Sequence, residues 1–150
     1  MTAAPLYLED LVLGQKFSSP EYRVTQSEIE TFARSFDPQP FHLDREAAEN
    51  SFFRGLAASG WHTASITMRL VVDSELKLAG GIVGASFDEF RWTLPVRPGD
   101  VLRVESEVLE LIPSKSRPTQ GIAKMRITTL NQDNRPVQLQ VSNLVVHRRP

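Results

Sequence analysis

Residues 57–72, AASGWHTASITMRLVV, decide the fold. Arg69 is the only formally charged residue in this stretch, and a helix that is apolar on nearly every side is normally buried. The stretch is as long as a helix and too long for a single buried strand. We therefore predict a helix enclosed by the rest of the chain, with Met68 in the apolar interior.

The sequence that follows this helix changes to a period of two. From Gly80 onward, apolar residues alternate with polar ones, which is typical of strands with one buried face. The alternation slips near Asp88, which indicates a β-bulge, and Pro113 limits the second strand. The pattern predicts four antiparallel strands, with an earlier strand near residues 14–24. The predicted fold class is α+β, a curved antiparallel sheet wrapped around one long central helix, in a single domain over residues 1–150.

The sequence before the central helix predicts two shorter helices. Thr25 and Glu28 have the spacing of a capping box at the start of the first helix. Pro38 and Pro40 end that helix, because proline disfavours helical geometry in the residue before it. Asp44 is the predicted N-cap of a second helix over residues 45–50.

Composition excludes several classes of protein. The 150 residues carry a formal net charge of −1, so no strong field attracts nucleic acid or anionic lipid. The chain has no cysteine, which excludes disulfides, thiolate catalysis and Cys-ligated metals. Neither a signal peptide nor a membrane-spanning run is apparent. We expect a cytoplasmic protein without a nucleic-acid or membrane partner.

The three histidines do not predict a metal site. His42, His62 and His147 lie too far apart in sequence to form a metal-binding motif such as HExxH. His62 falls on the apolar central helix, where we predict a satisfied core or interface histidine. His147 ends the last strand, where we predict an exposed side chain.

The densest polar cluster is residues 37–42, DPQPFH. It places the carboxylate of Asp37 and the imidazole of His42 in a segment stiffened by two prolines, which lower the entropy of the free chain. An acid and a base directed at one point are what proton transfer requires, and histidine titrates near neutral pH. The same residues are also compatible with a helix-ending turn without chemistry.

Three motifs in order give the chain a family resemblance. Residues 36–44, FDPQPFHLD, resemble the hydratase motif of the MaoC-like dehydratase family, which includes (R)-specific enoyl-CoA hydratases. Residues 52–60, FFRGLAASG, are similar to the segment that leads into the central helix of that family. Residues 90–100, FRWTLPVRPGD, are similar to its strand and following turn. The resemblance covers about residues 10–148, and it implies the hot-dog fold, a sheet around one long helix, usually in a homodimer.

The resemblance also implies a reaction and its residues. Asp37 and His42 would hold a water that adds to C3 of a trans-2-enoyl-CoA, giving an (R)-3-hydroxyacyl-CoA, or leaves in the reverse dehydration. The amides of Ser59 and Gly60, at the start of the central helix, would stabilise the negative charge on the thioester oxygen. Gln39 would contribute to substrate binding. No cofactor is implied, because coenzyme A enters as part of the substrate.

Two positions depart from the family motif. Phe36 stands where the family has glycine, and Gln39 stands where it has asparagine. These departures keep open a non-catalytic acyl-thioester binding module. A hot-dog thioesterase is the other alternative, and it would use a carboxylate without needing His42 in this motif.

Overall fold

A computed structural model describes residues 4–150 of the chain. A 3₁₀ turn at Leu8–Asp10 precedes four helices and six strands. The helices are α1 (Gln26–Phe36), α2 (Pro40–Leu43), α3 (Arg45–Glu49) and α4 (Gly60–Asp73). The strands are β1 (Lys16–Ser18), β2 (Tyr22–Arg23), β3 (Val83–Trp92), β4 (Val101–Pro113), β5 (Gln120–Leu130) and β6 (Pro136–His147).

The six strands form one antiparallel sheet in the order β1-β4-β5-β6-β3, with β2 also paired to β4. Short connections join β4, β5 and β6, as antiparallel pairing allows. Among residues 4–150, strand β3 pairs with β6 along one side only, and its other edge has no partner strand. The predicted α+β class, the four late strands and an early strand are confirmed, and the bulge near Asp88 appears as a register shift between Phe87 and Glu89.

Helices α1 and α3 begin directly after their predicted N-caps, Thr25 and Asp44. Thr25 accepts a hydrogen bond from the amide of Glu28, and the Glu28 side chain accepts one from the amide of Thr25, completing the capping box. The side chain of Asp44 accepts hydrogen bonds from the first amides of α3. The sequence analysis missed α2, a single turn whose first residue is Pro40, although proline suits that position.

Helix α4 packs one face into the hydrophobic core and leaves the other face open. Ile66, Leu70 and Val71 are buried there with the apolar side chains of β4, β5 and β6. The prediction that Met68 lies in the interior is wrong, because its side chain is 45% exposed. Helix α4 also starts at Gly60, later than predicted, because residues 57–59 are not helical.

The exposed face of α4 is largely apolar. Residues at helical spacing along it are Trp61, Ser65, Met68 and Val72, and all four are exposed in the single chain. Hydropathy alone made the helix look enclosed, since apolar residues occur on both faces. Only one of those faces meets the core formed by this chain.

Candidate active site

Asp37 and His42 lie side by side because α1 ends immediately before α2 begins. Asp37 is the C-cap of α1, and its amide donates to the carbonyl of Ala33 at 2.8 Å. His42 lies on α2, whose first residue is Pro40. The two side chains meet with 3.2 Å between His42 Nε2 and Asp37 Oδ2. The structure therefore brings together the acid and base that the sequence analysis paired.

The imidazole of His42 is buried and fixed in orientation. Its Nδ1 lies 2.6 Å from the carbonyl oxygen of Ala57, which can only accept, so Nδ1 carries the proton. The residue is only 3% exposed and lies against the rings of Phe41 and Phe53. Nε2 is therefore the nitrogen that is free to exchange protons, and it faces Asp37.

Asp37 is held as a carboxylate. Burial acts to raise the pKa of Asp37, but hydrogen bonds from the side chains of Gln39 and Ser59 and the nearby charge of His42 outweigh it. The pKa is therefore lowered below its usual range. Gln39 Nε2 donates to Asp37 Oδ1 at 2.5 Å, so the longer amide side chain at this position contacts the carboxylate directly.

The N-terminus of α4 completes the polar part of the site. The amide of Ala57 donates to the carbonyl of Phe41, and the amide of Ala58 donates to the carbonyl of Val96, which places the start of the helix beside the pair. The fully buried Ser59 is the N-cap, and its hydroxyl accepts from the amide of Trp61. Within residues 4–150, no group accepts a hydrogen bond from the amide of Gly60. A free amide at a helix N-terminus favours an anion.

A cavity of about 390 Å³ opens over these groups. Four of the five predicted site residues line it: Asp37, Gln39, His42 and Gly60. The fifth, Ser59, is not among the lining residues, but its side chain contributes a hydrogen bond to Asp37. The other lining residues are mostly apolar: Phe41, Phe53, Ala58, Trp61, Thr63, Trp92, Thr93, Leu94, Pro95 and Val96. The sequence analysis did not predict that Phe53 and Trp92 line the cavity, although both lie in motifs quoted there.

The other histidines lie outside this cavity. His147 is exposed, as predicted. His62 is buried and its ring stacks on Phe32 at 4.8 Å, but Nδ1 finds no partner among residues 4–150. It is therefore not the satisfied core histidine that was one of the two predictions, and the interface histidine stays a prediction. Burial lowers the pKa of His62 more than the charge of Glu28 raises it.

Neither a metal site nor a membrane-spanning helix is found in the part of the chain that the structure describes. No three histidine or acidic side chains there are grouped so that they could hold a metal ion. No helix there is long and apolar enough to cross a membrane.

Comparison with known families adds a match that spans most of the chain. The sequence profile of the MaoC like domain matches residues 10–131. This range contains Asp37, His42 and Gly60, together with the strand that ends at Trp92.

Individual relatives agree with this match. The chain is 32% identical over 125 residues to the uncharacterized protein YdeM of Bacillus subtilis, covering 83% of this chain and 87% of that one. It is 33% identical over 113 residues to a 3-hydroxybutyryl-CoA dehydratase of Methylorubrum extorquens, covering 75% and 69%. The crystal structure of a MaoC-like dehydratase from Rhodospirillum rubrum superimposes with a TM-score of 0.94 at 56% identity, covering 97% and 99%.

Proposed function

The chain belongs to the MaoC-like domain family and has its hot-dog fold, and on that premise we propose that it is a hydratase/dehydratase acting on an acyl thioester. The proposed reaction is the interconversion of a trans-2-enoyl-CoA and an (R)-3-hydroxyacyl-CoA. One observation carries the proposal: the Asp37–His42 pair, 3.2 Å apart, faces the same cavity as the free amide of Gly60.

The pair has the properties that adding water requires. Asp37 is a carboxylate, so it accepts a proton from water as the water oxygen bonds to C3. His42 donates through Nδ1 to a carbonyl, and its Nε2 lies 3.2 Å from the carboxylate of Asp37; in the proposed reaction Nε2 carries the second proton. That Nε2 proton is delivered to C2. The proton on Asp37 then returns to Nε2 across the 3.2 Å contact, which restores the starting state.

The amide of Gly60 stabilises the charge that develops between these two proton transfers. When the oxygen of water bonds to C3, the electrons of the double bond move toward the thioester oxygen and leave it negative. A helix N-terminus with an unused amide offers both a hydrogen bond and a favourable dipole to that oxygen. Formation of the C2–H bond returns the electrons to carbon and regenerates the neutral thioester.

We expect the purified protein to hydrate crotonyl-CoA, measured as loss of the absorbance of the enoyl thioester. Chiral analysis of the product should give the (R)-3-hydroxy isomer. Release of free thiol without loss of the double bond would instead identify a thioesterase. Binding of acyl-CoA without either reaction would identify a binding module and would contradict the proposal.

We also propose that the protein is a homodimer in which the open edge of β3 pairs with β3 of a second copy. An open edge exposes unpaired backbone groups that favour pairing with another strand. Exposed apolar side chains lie on β3 itself and on the open face of α4, whose Trp61 contacts Trp92 of β3: Trp61, Met68, Val72, Val83, Phe87 and Trp92. Burying such a patch is favourable, and a twofold axis would place the same patch on both partners.

Light scattering at micromolar concentration should give twice the 16.9 kDa mass of the chain. Phe87→Asp should shift the mass toward the monomer, because the twofold axis would bring two buried carboxylates together. Val12→Asp is the matched control, since Val12 is 63% exposed and lies away from β3, while Phe87 is 56% exposed. A wild-type monomer, or a dimer that Phe87→Asp leaves intact, would exclude this interface.

A further inference from the structure

We propose that a second cavity, which we call the arginine cavity, is a phosphomonoester site formed by Arg45, Arg54 and Arg97. It has a volume of about 340 Å³, and all three arginines line it. The site goes beyond the proposed function, and it rests on that function only where a CoA thioester is the molecule that carries the phosphate.

The three arginines bring uncompensated positive charge to one place. Glu49 is the one acidic residue that lines the same cavity. Elsewhere in residues 4–150, several arginines form salt bridges with carboxylates: Arg69, Arg91, Arg103, Arg126, Arg148 and Arg149. No carboxylate in that range lies within salt-bridge distance of Arg45, Arg54 or Arg97, so the charge of this cavity is complementary to an anion.

The amount of charge favours a phosphomonoester over other anions. Three arginines and Glu49 leave a net charge of +2 around the cavity, and a phosphomonoester carries about −1.5 to −2 at pH 7. A guanidinium also binds two phosphate oxygens at once through parallel N–H groups. A carboxylate, with a single negative charge, would leave half of the positive charge unmatched.

Two of the guanidinium groups are held in fixed orientations. Arg97 Nη1 donates to the carbonyl of Leu56 at 3.2 Å, and its Nη2 donates to the carbonyl of Phe53. Arg45 Nη2 donates to Gln26 Oε1 at 2.8 Å. These neutral acceptors leave the positive charge in place, and a guanidinium has five N–H donors, so Arg97 keeps three for an anion. Groups that are already ordered lose less entropy when a ligand binds.

The arginine cavity adjoins the catalytic cavity. Phe53 and Val96 line the catalytic cavity, and the residues that follow them, Arg54 and Arg97, line the arginine cavity. Consecutive Cα atoms are about 3.8 Å apart, so the two cavities lie side by side along these segments. A CoA thioester carries its 3′-phosphate at the end of a long arm that can reach a neighbouring cavity. That phosphate and the phosphate of a free nucleotide are the two sources of a phosphomonoester here.

The test measures the calorimetric Kd of butyryl-CoA and of its 3′-dephospho form, neither of which has a double bond to hydrate. We expect wild type to bind butyryl-CoA at least about tenfold more tightly, since hydrogen bonds to a charged group are lost with the phosphate. The double variant Arg45→Gln with Arg54→Gln should weaken binding of butyryl-CoA by about tenfold or more. It should leave the dephospho ester nearly unchanged, so the ratio of the two Kd values approaches one.

Arg117→Gln is the matched control, because Arg117 is exposed and lines neither cavity, and it should keep the wild-type ratio. Arg97 stays in place in all variants, since its hydrogen bonds support the segment around Phe53. A merely structural loss would weaken binding of both esters together. Circular dichroism shows which variants fold, and Arg54→Gln alone replaces the double variant if that one does not.

Adenosine 3′,5′-bisphosphate, which lacks the acyl arm, distinguishes the two sources. If it competes with butyryl-CoA and both need Arg45 and Arg54, the CoA thioester supplies the phosphate. If it binds through these arginines without competing, and wild type binds both esters equally, a free nucleotide supplies it. If binding of neither butyryl-CoA nor the bisphosphate depends on Arg45 and Arg54, the inference is overturned.

Hydration of crotonyl-CoA by wild type separates this inference from the proposed reaction. If the arginine-dependent preference for the 3′-phosphate is found without any hydration, the reaction is wrong and the phosphate site stands. If crotonyl-CoA is hydrated but no ligand depends on the arginines, the site is wrong and the reaction stands. If wild type binds neither ester nor the bisphosphate, both are wrong.

Discussion

Replacing Asp37 by Asn is expected to lower kcat for crotonyl-CoA hydration by about 10²–10⁴-fold, the usual contribution of a general acid–base group. Asparagine keeps the size of the side chain and a carbonyl oxygen that can accept the hydrogen bond from Gln39, but it cannot take a proton from water. The measurement is loss of enoyl absorbance, with circular dichroism to establish that the variant folds.

His42 needs a variant that respects its burial. His42 is buried and donates to the carbonyl of Ala57, so its replacement by alanine would disturb packing as well as chemistry. Alanine would leave a cavity and an unsatisfied carbonyl. His42→Gln retains a side chain with a donor and is expected to lower kcat as strongly as Asp37→Asn. The double variant should be little worse than either single one, because the two residues act as a unit.

Asp44→Asn is the matched control for Asp37→Asn. Asp44 lies in the same motif, but it caps α3 and does not line the cavity, and asparagine caps helices equally well. Its activity should match wild type. If folded Asp37→Asn retained more than about a third of the wild-type rate, the assignment of the base would be wrong.

Signals that act over a few residues carried most of the correct predictions. The capping box at Thr25 and the cap at Asp44 were readable because cap and amide are only two or three residues apart. Strand β4 ends at Pro113, because proline has no N–H to donate to a neighbouring strand. The pairing of Asp37 with His42 was predictable for the same reason, since two prolines fix the short segment that joins them.

The features that could not be predicted from the sequence depend on contacts between residues that are far apart along the chain. Met68 is apolar whether it faces the core of its own chain or an external surface, so hydropathy could not distinguish the two. The partner of His42 is a main-chain carbonyl, and any residue type at position 57 would supply one. The contact of Trp92 with Gly60 joins β3 to α4, and it exists only once the sheet has closed on the helix.

Gly60 illustrates how two requirements can meet at one position. The packing of Trp92 excludes a Cβ there, and the proposed chemistry needs the amide at the same residue. A single substitution would disturb both at once. The two requirements can be separated in a variant that lacks the Trp92 indole, because the three atoms nearest to a Cβ at position 60 all belong to that ring.

In a Trp92→Ala background, we expect Gly60→Pro to have a kcat about 10²–10³-fold below that of Gly60→Ala, which is the usual effect of losing one oxyanion-hole donor. Both double variants carry a Cβ, but only proline lacks the amide hydrogen. The helix should tolerate proline, since Gly60 is the first residue of α4 and Ser59 already has the extended geometry, φ −54° and ψ 140°, that precedes proline.

The comparison is kcat for crotonyl-CoA hydration by the two double variants, with thermal unfolding to show that both fold alike. Gly60→Ala alone should be less active than Gly60→Ala with Trp92→Ala, because in the single variant the new Cβ collides with the indole and displaces the helix start from the pair. This rescue separates the packing requirement from the chemical one. A proline variant within about threefold of its alanine counterpart would mean that the thioester oxygen is stabilised by another group, and the amide of Gly60 would then have no part in the reaction.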